Sequence, residues 1–111
     1  MPVEKNAKDI FDSYGQLKDK SNALVLFYAT WCHYCTVFKK DVWNSELDRA
    51  IPMVKLYSVE ASTDSDFINN VLSRQGKPLR GYPTVFHFKN GKIVGSEVDR
   101  SKSGLVRAAM Q

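Results

Sequence analysis

The amino-acid sequence predicts an α/β domain with a central mixed sheet of about four to five strands and helices on both faces. Two apolar runs, at 23–28 and 53–59, are typical of buried strands, and a segment of helical character lies between them. A helix between two strands favours a parallel pair joined by a right-handed crossover. Further along, Asn90-Gly91 between two strand-like segments predicts an antiparallel hairpin. We expect one domain over residues 1–111, since a chain of this length buries about two-thirds of its unfolded surface.

The first two elements follow from apolar spacing. A helix over about 7–18 is predicted, with Asn6 as its cap and Gly15 weakening its end. One face of that helix carries Ile10, Phe11, Tyr14 and Leu17. The uninterrupted apolar run at 23–28 then predicts the first buried strand.

The middle of the chain predicts a second helix over about 33–48, with Phe38 and Val42 four residues apart. Pro52 precedes the strand at 53–59. A third helix is expected to begin near Thr63 or Asp64, and its apolar side carries Phe67, Ile68, Val71 and Leu72. The segment 74–78 is rich in helix breakers and predicts a loop.

The last third of the sequence predicts a hairpin and a short helix. The strands are expected at 84–89 and 92–98, on either side of Asn90-Gly91. Ser101 or Ser103 is placed to cap the final helix. That helix would carry Leu105, Val106 and Met110.

Composition argues against several classes of function. The net charge is +4, but the basic residues are scattered among acids, so nucleic-acid binding has little support. No apolar stretch approaches the roughly 20 residues of a membrane span, and residues 1–6 do not resemble a signal peptide. We therefore expect a cytoplasmic monomer that binds neither nucleic acid nor membrane, or a domain of the secretory lumen if the chain was excised from a longer protein.

Both cysteines lie two residues apart in Trp31-Cys32-His33-Tyr34-Cys35, at the predicted junction of a strand and a helix. The first N–H groups and the positive dipole end of a helix favour a thiolate at such a position. Cys35 lies one turn further on the same face and can form a disulfide with Cys32. This spacing near a βαβ pattern is typical of a redox dithiol.

Three other interpretations of the cysteine pair remain open. A structural disulfide that closes so small a loop would add little stability. A zinc site needs four ligands as a rule, and only His33 and His87 supply further nitrogen donors. The third interpretation is that both cysteines are inert core residues. We expect no metal and no cofactor.

Three separate motifs resemble the thioredoxin superfamily, and within it most closely the domains of protein disulfide isomerases. They are Phe27 to Cys35 (FYATWCHYC), Arg80 to Thr84 (RGYPT) and Phe88 to Gly91 (FKNG), and the similarity covers about residues 22–106. The resemblance implies a thioredoxin fold and a thiol-disulfide oxidoreductase. Its partners would be protein disulfide substrates and a reductase or oxidase that recycles the pair.

The resemblance also implies roles for individual residues. Cys32 corresponds to the nucleophile and Cys35 to the resolving cysteine of the family. Pro83 matches the family's cis proline, and the backbone of Tyr82 beside it would pair with an extended substrate. Trp31 and Gly81 complete the expected substrate-binding residues.

Several positions depart from the family pattern. Leu26 stands where the family has a buried acid that accepts the proton of the resolving cysteine. The lysine partner of that acid corresponds to Lys55 or to Ser58, and we favour Ser58. Water, Glu60 or His33 would then have to accept the proton. Lys40 replaces a helix-kinking proline, which predicts a straighter helix after the cysteines. Asp99 would add negative charge near the substrate groove.

The two residues between the cysteines are expected to tune the site. An imidazolium at His33 would favour the Cys32 thiolate and a more oxidising couple, although a histidine in solvent is the alternative. Tyr34 offers a ring to substrate or is a plain surface residue. His87 is predicted to be structural. The loop 74–80, longer than in the family pattern, is either a basic rim that selects acidic partners or a tolerated insertion.

One competing function belongs to a different class. A redox-inactive adaptor could hold partner proteins in the groove at Tyr82 and Pro83, since the missing acid at Leu26 is compatible with lost catalysis. Retention of both cysteines argues against it. A carrier of metal or of an iron–sulfur cluster, with two chains each donating a cysteine pair, is a third hypothesis.

Overall fold

The structure is a computed structural model that describes residues 1–111. Its centre is a five-stranded sheet in the order β1-β3-β2-β4-β5. β1, β3 and β2 run parallel, and β4 and β5 continue the sheet in antiparallel fashion. The elements in chain order are β1 Val3–Glu4, α1 Ala7–Ile10, β2 Ala23–Tyr28, α2 His33–Phe38, α3 Leu47–Ala50, β3 Lys55–Glu60, α4 Ser65–Arg74, β4 Thr84–Lys89, β5 Lys92–Val94 and α5 Lys102–Ala109. The predicted mixed sheet with helices is confirmed.

The sheet separates two apolar cores because successive side chains of a strand point to opposite faces. On one face β2 contributes Leu24 and Leu26, and these pack with α2, α3 and α5. On the other face β2 contributes Val25 and Phe27, which pack with α1 and α4. Every residue of β2 is buried, which explains its uninterrupted apolar sequence. The two helical layers hold the carboxyl end of β2, where the cysteines follow, in a fixed position.

The predicted helix over 7–18 was wrong beyond its first turn. α1 ends at Ile10, and the Asp12 side chain then accepts hydrogen bonds from the backbone N–H groups of Tyr14 and Gln16, each at 2.9 Å. Such local side-chain bonds favour a turn over a helix. The turn leaves Tyr14 exposed, although it still returns Leu17 to the core.

The single helix predicted over 33–48 is three segments. After α2 the backbone widens into a π-helical turn over Lys39–Trp43, and the straighter helix expected from Lys40 is therefore wrong. The chain then reverses through Glu46, whose φ of 63° is left-handed, before α3 begins. The bulged turn places Trp43 in the core, where its Nε1–H donates to Ser58 Oγ at 2.7 Å.

Strand boundaries differ from the prediction at two ends, and one strand was missed. β3 begins at Lys55 rather than at residue 53. β5 ends at Val94 rather than at residue 98, because Gly95 turns the chain with a φ of 72°. The two-residue edge strand β1 is too short to give a pattern in the sequence.

Local signals in the last third of the chain agree with the structure. Asn90 and Gly91 have positive φ values of 53° and 82°, as a tight hairpin requires. Ser101 caps α5 by accepting a hydrogen bond from Gly104 N–H at 3.0 Å. α4, the longest helix, begins directly after Asp64 and has only ten residues. None of the helices combines the length and the apolar character that crossing a membrane would need.

Candidate active site

Cys32 lies where β2 gives way to α2. Its N–H donates to Ala29 O at 3.1 Å, and its carbonyl accepts from Thr36 N–H at 3.2 Å, so the residue is held as the cap of the helix. In this cap position the Sγ of Cys32 accepts a hydrogen bond from Cys35 N–H at 3.3 Å. A donor aimed at the sulfur stabilises negative charge on it.

Tyr82 and Pro83 approach the cysteines from the start of β4. Cys32 Sγ lies 3.8 Å from Tyr82 O, and the Tyr82–Pro83 bond is cis. Thr84 Oγ1 donates to Gly81 O at 2.8 Å and braces the loop. The structure thus brings Gly81, Tyr82 and Pro83 beside Cys32 across 50 residues of chain.

The two cysteines are free thiols in different surroundings. Cys32 is 9 % exposed, whereas Cys35 is 1 % exposed. Burial, with the hydrogen bond to Cys32 as a second cause, raises the pKa of Cys35 to about 11, against the opposing effects of the Ala29 backbone and the charge of Arg100. Cys32 is therefore the sulfur that a substrate can reach, and Cys35 is held protonated behind it.

A groove of about 490 Å³ runs beside Cys32. Trp31, 71 % exposed, and Tyr34, 75 % exposed, stand at the surface near it. The Trp31 ring meets the Tyr82 ring edge-on with 5.8 Å between centroids, and the His33 ring lies 6.1 Å from that of Tyr34. The groove is lined by His33, Tyr34, Val37, Phe38, Tyr82, Pro83 and Arg100.

Comparison with known proteins identifies this arrangement. The family model described as Thioredoxin matches residues 2–111. The chain belongs to the thioredoxin family. Its Cys32–Cys35 pair supports thiol-disulfide oxidoreductase chemistry in general for this thioredoxin-family domain.

Curated relatives of this thioredoxin-family chain are named protein disulfide isomerases. Protein disulfide-isomerase A4 of Bos taurus is 29 % identical over 106 residues, which are 94 % of this chain and 15 % of that protein. Protein disulfide-isomerase of Oryctolagus cuniculus is 32 % identical over 78 residues, or 68 % of this chain and 14 % of that protein. The chain therefore spans about one-seventh of the length of these relatives.

Solved structures share the thioredoxin fold. Mitochondrial thioredoxin 3 of Saccharomyces cerevisiae, in its oxidized form, superposes with a TM-score of 0.69 at 18 % identity, covering 99 % of this chain and 93 % of that one. The first thioredoxin domain of mouse protein disulfide-isomerase A4 also gives a TM-score of 0.69, at 24 % identity, with 96 % of this chain and 71 % of that chain covered. At these identities the likeness establishes the fold alone.

Leu26, which the resemblance places at the position of the family's buried acid, lies in the same apolar core as the two cysteines. It is fully buried and pairs with Ser58 across the β2–β3 ladder. Lys55 lies at the exposed start of β3, where its Nζ is 2.7 Å from Asp19 Oδ2. Ser58 is thus the residue facing Leu26, in agreement with the favoured alignment, and it carries no charge.

Glu60 was one candidate to accept the proton of Cys35. Its carboxylate accepts hydrogen bonds at 2.8 Å from Thr30 N–H and from Ser62 N–H, and another from Thr63 N–H at 3.1 Å. Burial opposes ionisation, but these bonds outweigh it and lower the pKa of Glu60. A carboxylate with a lowered pKa and occupied oxygens is a weak base, which leaves water and His33 as the candidate acceptors.

Arg100 is a site residue that the sequence analysis missed. Its Nη1 donates to Pro83 O at 2.8 Å and to Glu97 Oε2 at 3.3 Å, so it ties the start of β4 to the loop before α5. The only signal in the sequence is a cation directly before the Ser101 cap. Asp99, expected near the substrate groove, instead accepts from Ser101 Oγ at 2.9 Å at the start of α5 and does not line the groove.

His87 lies away from the cysteines. Its Nε2 is hydrogen-bonded to Asn22 Oδ1, and it lies among residues of β5 and α5 rather than in the groove. No group of three or more His, Cys, Asp or Glu side chains is arranged to hold a metal ion. The chemistry available at the site is that of two thiols, the His33 imidazole, an exposed aromatic surface and one arginine.

Proposed function

We propose that this chain is a thiol-disulfide oxidoreductase that exchanges disulfides with protein substrates through Cys32 and Cys35. The observation that carries the proposal is the asymmetry of the pair. Cys32 Sγ receives an N–H donor, lies 3.8 Å from Tyr82 O and is partly exposed, whereas Cys35 is fully buried. An accessible nucleophile with a sequestered second thiol is what two-step disulfide exchange requires.

The reaction runs in two balanced steps. The Cys32 thiolate attacks one sulfur of a substrate disulfide, a Cys32–substrate bond forms, and the other substrate sulfur leaves as thiolate. Cys35 then loses its proton to water or His33 and attacks the Cys32 sulfur, which releases the second substrate thiolate. The chain is oxidised to the Cys32–Cys35 disulfide and the substrate is reduced by two electrons. A separate reductase restores the dithiol, and an oxidase would drive the same steps in reverse.

Release of the substrate is the step that we expect to be slow. Cys35 has a raised pKa, Leu26 offers no base, and the Glu60 carboxylate is occupied. The Ala29 backbone and the positive charge of Arg100 act in the opposite direction. The mixed disulfide should therefore be longer lived than in a relative that has the buried acid.

Protein substrates are favoured by the surface around Cys32. Trp31 and Tyr34 expose large rings, and the groove floor contains Phe38 and Pro83. Backbone groups of Tyr82 border the nucleophile and suit an extended chain. The naming of the curated relatives as protein disulfide isomerases supports the same substrate class.

The test is turnover of insulin disulfides in the presence of dithiothreitol, with single cysteine variants. Cys32→Ser should abolish turnover, because the accessible nucleophile is lost. Cys35→Ser should accumulate a mixed disulfide with substrate, visible on a non-reducing gel, because nothing resolves it. Trapping by Cys32→Ser together with full turnover by Cys35→Ser would reverse the assigned roles.

An adaptor that binds proteins without redox turnover is the second candidate, and Leu26 is the observation that favours it. Retention of partner by a Cys32→Ser/Cys35→Ser double variant separates the two functions. An adaptor would hold its partner as tightly as the unaltered chain does. An oxidoreductase would lose the covalent complex and retain only weak binding in the groove.

A further inference from the structure

The loop between α4 and β4 presents two cations without partners. Lys77 and Arg80 make no ion pair and no side-chain hydrogen bond, although Arg80 comes only two residues before Tyr82. Other cations nearby are engaged: Arg74 donates to Ser13 O at 2.9 Å, and Arg100 donates to Pro83 O. Two positive charges beside a substrate groove are thus left for an external partner.

Both cations line one cleft of about 300 Å³. Its residues are Gly76, Lys77, Pro78, Arg80, Phe86, Ser96 and Glu97. Glu97 is the one acid among them, and its charge is met by Arg100, whose Nη1 lies 3.3 Å away. The same Arg100 lines the groove beside Cys32, so cleft and groove adjoin at this ion pair. The cleft therefore carries excess positive charge.

The backbone of residues 79–82, between the cleft and the cysteines, has hydrogen-bonding groups without partners. Neither the N–H nor the carbonyl of Leu79 or Arg80 makes a hydrogen bond within the protein, and the N–H groups of Gly81 and Tyr82 have no partner either. An extended segment lying along residues 79–82 can bond to these groups. With a rise of about 3.3 Å per residue, its positions some two to five residues from the reacting cysteine would meet Arg80 and then Lys77.

We propose that Lys77 and Arg80 select substrates in which an acidic segment flanks the reactive disulfide, so the preferred partner is a protein that carries Glu or Asp two to five residues from its cysteine. This inference rests on the proposed oxidoreductase function and names its substrate class. Charge complementarity of this kind acts mainly on the rate of encounter. Two exposed charge pairs correspond to an advantage of about three- to tenfold.

The experiment compares two pairs of disulfide peptides that differ only in charge. Each pair has a peptide with Glu at positions two to five from the cysteine and its counterpart with Gln, and the two pairs place these residues on opposite sides of the cysteine. The measured quantity is the second-order rate constant for reduction by the dithiol protein. We expect a Glu/Gln rate ratio of about three to ten on at least one side, falling toward one in 0.5 M salt.

The variant Lys77→Gln/Arg80→Gln should bring the Glu/Gln ratio close to one. The matched control, Lys18→Gln/Lys92→Gln, removes the same charge from exposed positions near the hairpin turn, at the opposite end of β4 from Pro83, and should retain the ratio. A ratio of one in the unaltered protein, or an equal fall in both variants, would overturn the inference. Failure to reduce any peptide would instead overturn the proposed function on which it rests.

Discussion

Leu26 is the residue whose chemistry sets this chain apart from the thioredoxin pattern. It is fully buried, shares a core with Cys32 and Cys35, and faces Ser58 across the ladder. A carboxylate there would carry a desolvation cost of several kcal/mol, which the apolar side chain avoids. The same substitution removes the group that would take the proton from Cys35. Stability and the rate of substrate release are therefore expected to oppose each other at this position.

Leu26→Asp should lower the free energy of unfolding by about 2–4 kcal/mol, because it combines a lost apolar contact with a buried polar group. It should also speed decay of the mixed disulfide near neutral pH, where a placed general base contributes about 10²–10⁴-fold. Stopped-flow measurement of that decay, beside a denaturant titration, gives both quantities.

Leu26→Asn is the matched control for this substitution. Asparagine has the shape and polarity of the acid but no basic oxygen, so it should destabilise the fold without speeding release. Equal release rates for the Asp and Asn variants would mean that Leu26 does not occupy the proton path, and that another group already serves Cys35.

At the scale of elements, the helical segment between the cysteines and β3 is interrupted by a residue with a left-handed backbone. Glu46 is exposed and left-handed, with a φ of 63°, at the point where the chain turns into α3. A non-glycine residue in this region costs roughly 1–2 kcal/mol. Its side chain forms one ion pair, an exposed one with Arg49, 3.2 Å from Oε1 to Nη1. Such pairs contribute little.

Glu46→Gly should therefore raise the free energy of unfolding by about 0.5–1 kcal/mol, since relief of the left-handed strain exceeds both the lost ion pair and the greater flexibility of the unfolded chain. Arg49→Gln removes only the ion pair and should change stability by less. Denaturant midpoints of the two variants measure both changes in stability. A Glu46→Gly variant less stable than Arg49→Gln would show that the backbone is not strained there.

The elements that the sequence predicted well are those with a local cause. The apolar run of β2, the turn at Asn90-Gly91 and the cap at Ser101 each depend on neighbouring residues. The two helices predicted too long were wrong because their ends depend on single residues that redirect the backbone, Asp12 in one and Glu46 in the other. Apolar spacing continues across both interruptions and so conceals them.

The residues of the candidate site likewise divide into those with a local signal in the sequence and those without one. Cys32, Cys35 and Pro83 belong to motifs whose residue pattern alone indicates a redox site, and the structure brings them together. Arg100 carries no such local signal, because its contact with Pro83 depends on the fold, which places the loop before α5 against the start of β4. The opposite placement of Asp99 has the same origin, since its side chain turns to the helix start rather than to the groove.

At the scale of the whole molecule, His87 connects three elements that are distant in sequence. It is buried on β4, its Nε2 is hydrogen-bonded to Asn22 Oδ1 just before β2, and Asn22 Nδ2–H donates to Ala109 O at the end of α5 at 2.9 Å. Burial, with the nearby charge of Lys89 as a second cause, lowers the pKa of His87. The folded protein therefore keeps this imidazole neutral.

The stability of the protein should consequently depend on pH through His87. The unfolded chain binds a proton at this histidine below about pH 6.5, whereas the folded chain binds it only at lower pH. The contribution of neutral His87 is thus fully present above pH 6.5 and is lost as pH falls through the lowered folded pKa, with a slope of at most about 1.4 kcal/mol per pH unit.

The chain has only two histidines, so the other supplies the control. Urea titrations between pH 7.5 and 5 should show this slope in the unaltered protein and in His33→Gln, whose side chain is exposed. His87→Gln should be less stable at pH 7 and should lose most of the slope in this range, because it cannot take up the proton. If His87→Gln kept the slope and His33→Gln lost it, the acid-sensitive link would lie at the cysteine helix instead, and the contact between β4, Asn22 and α5 would have no part in the pH response.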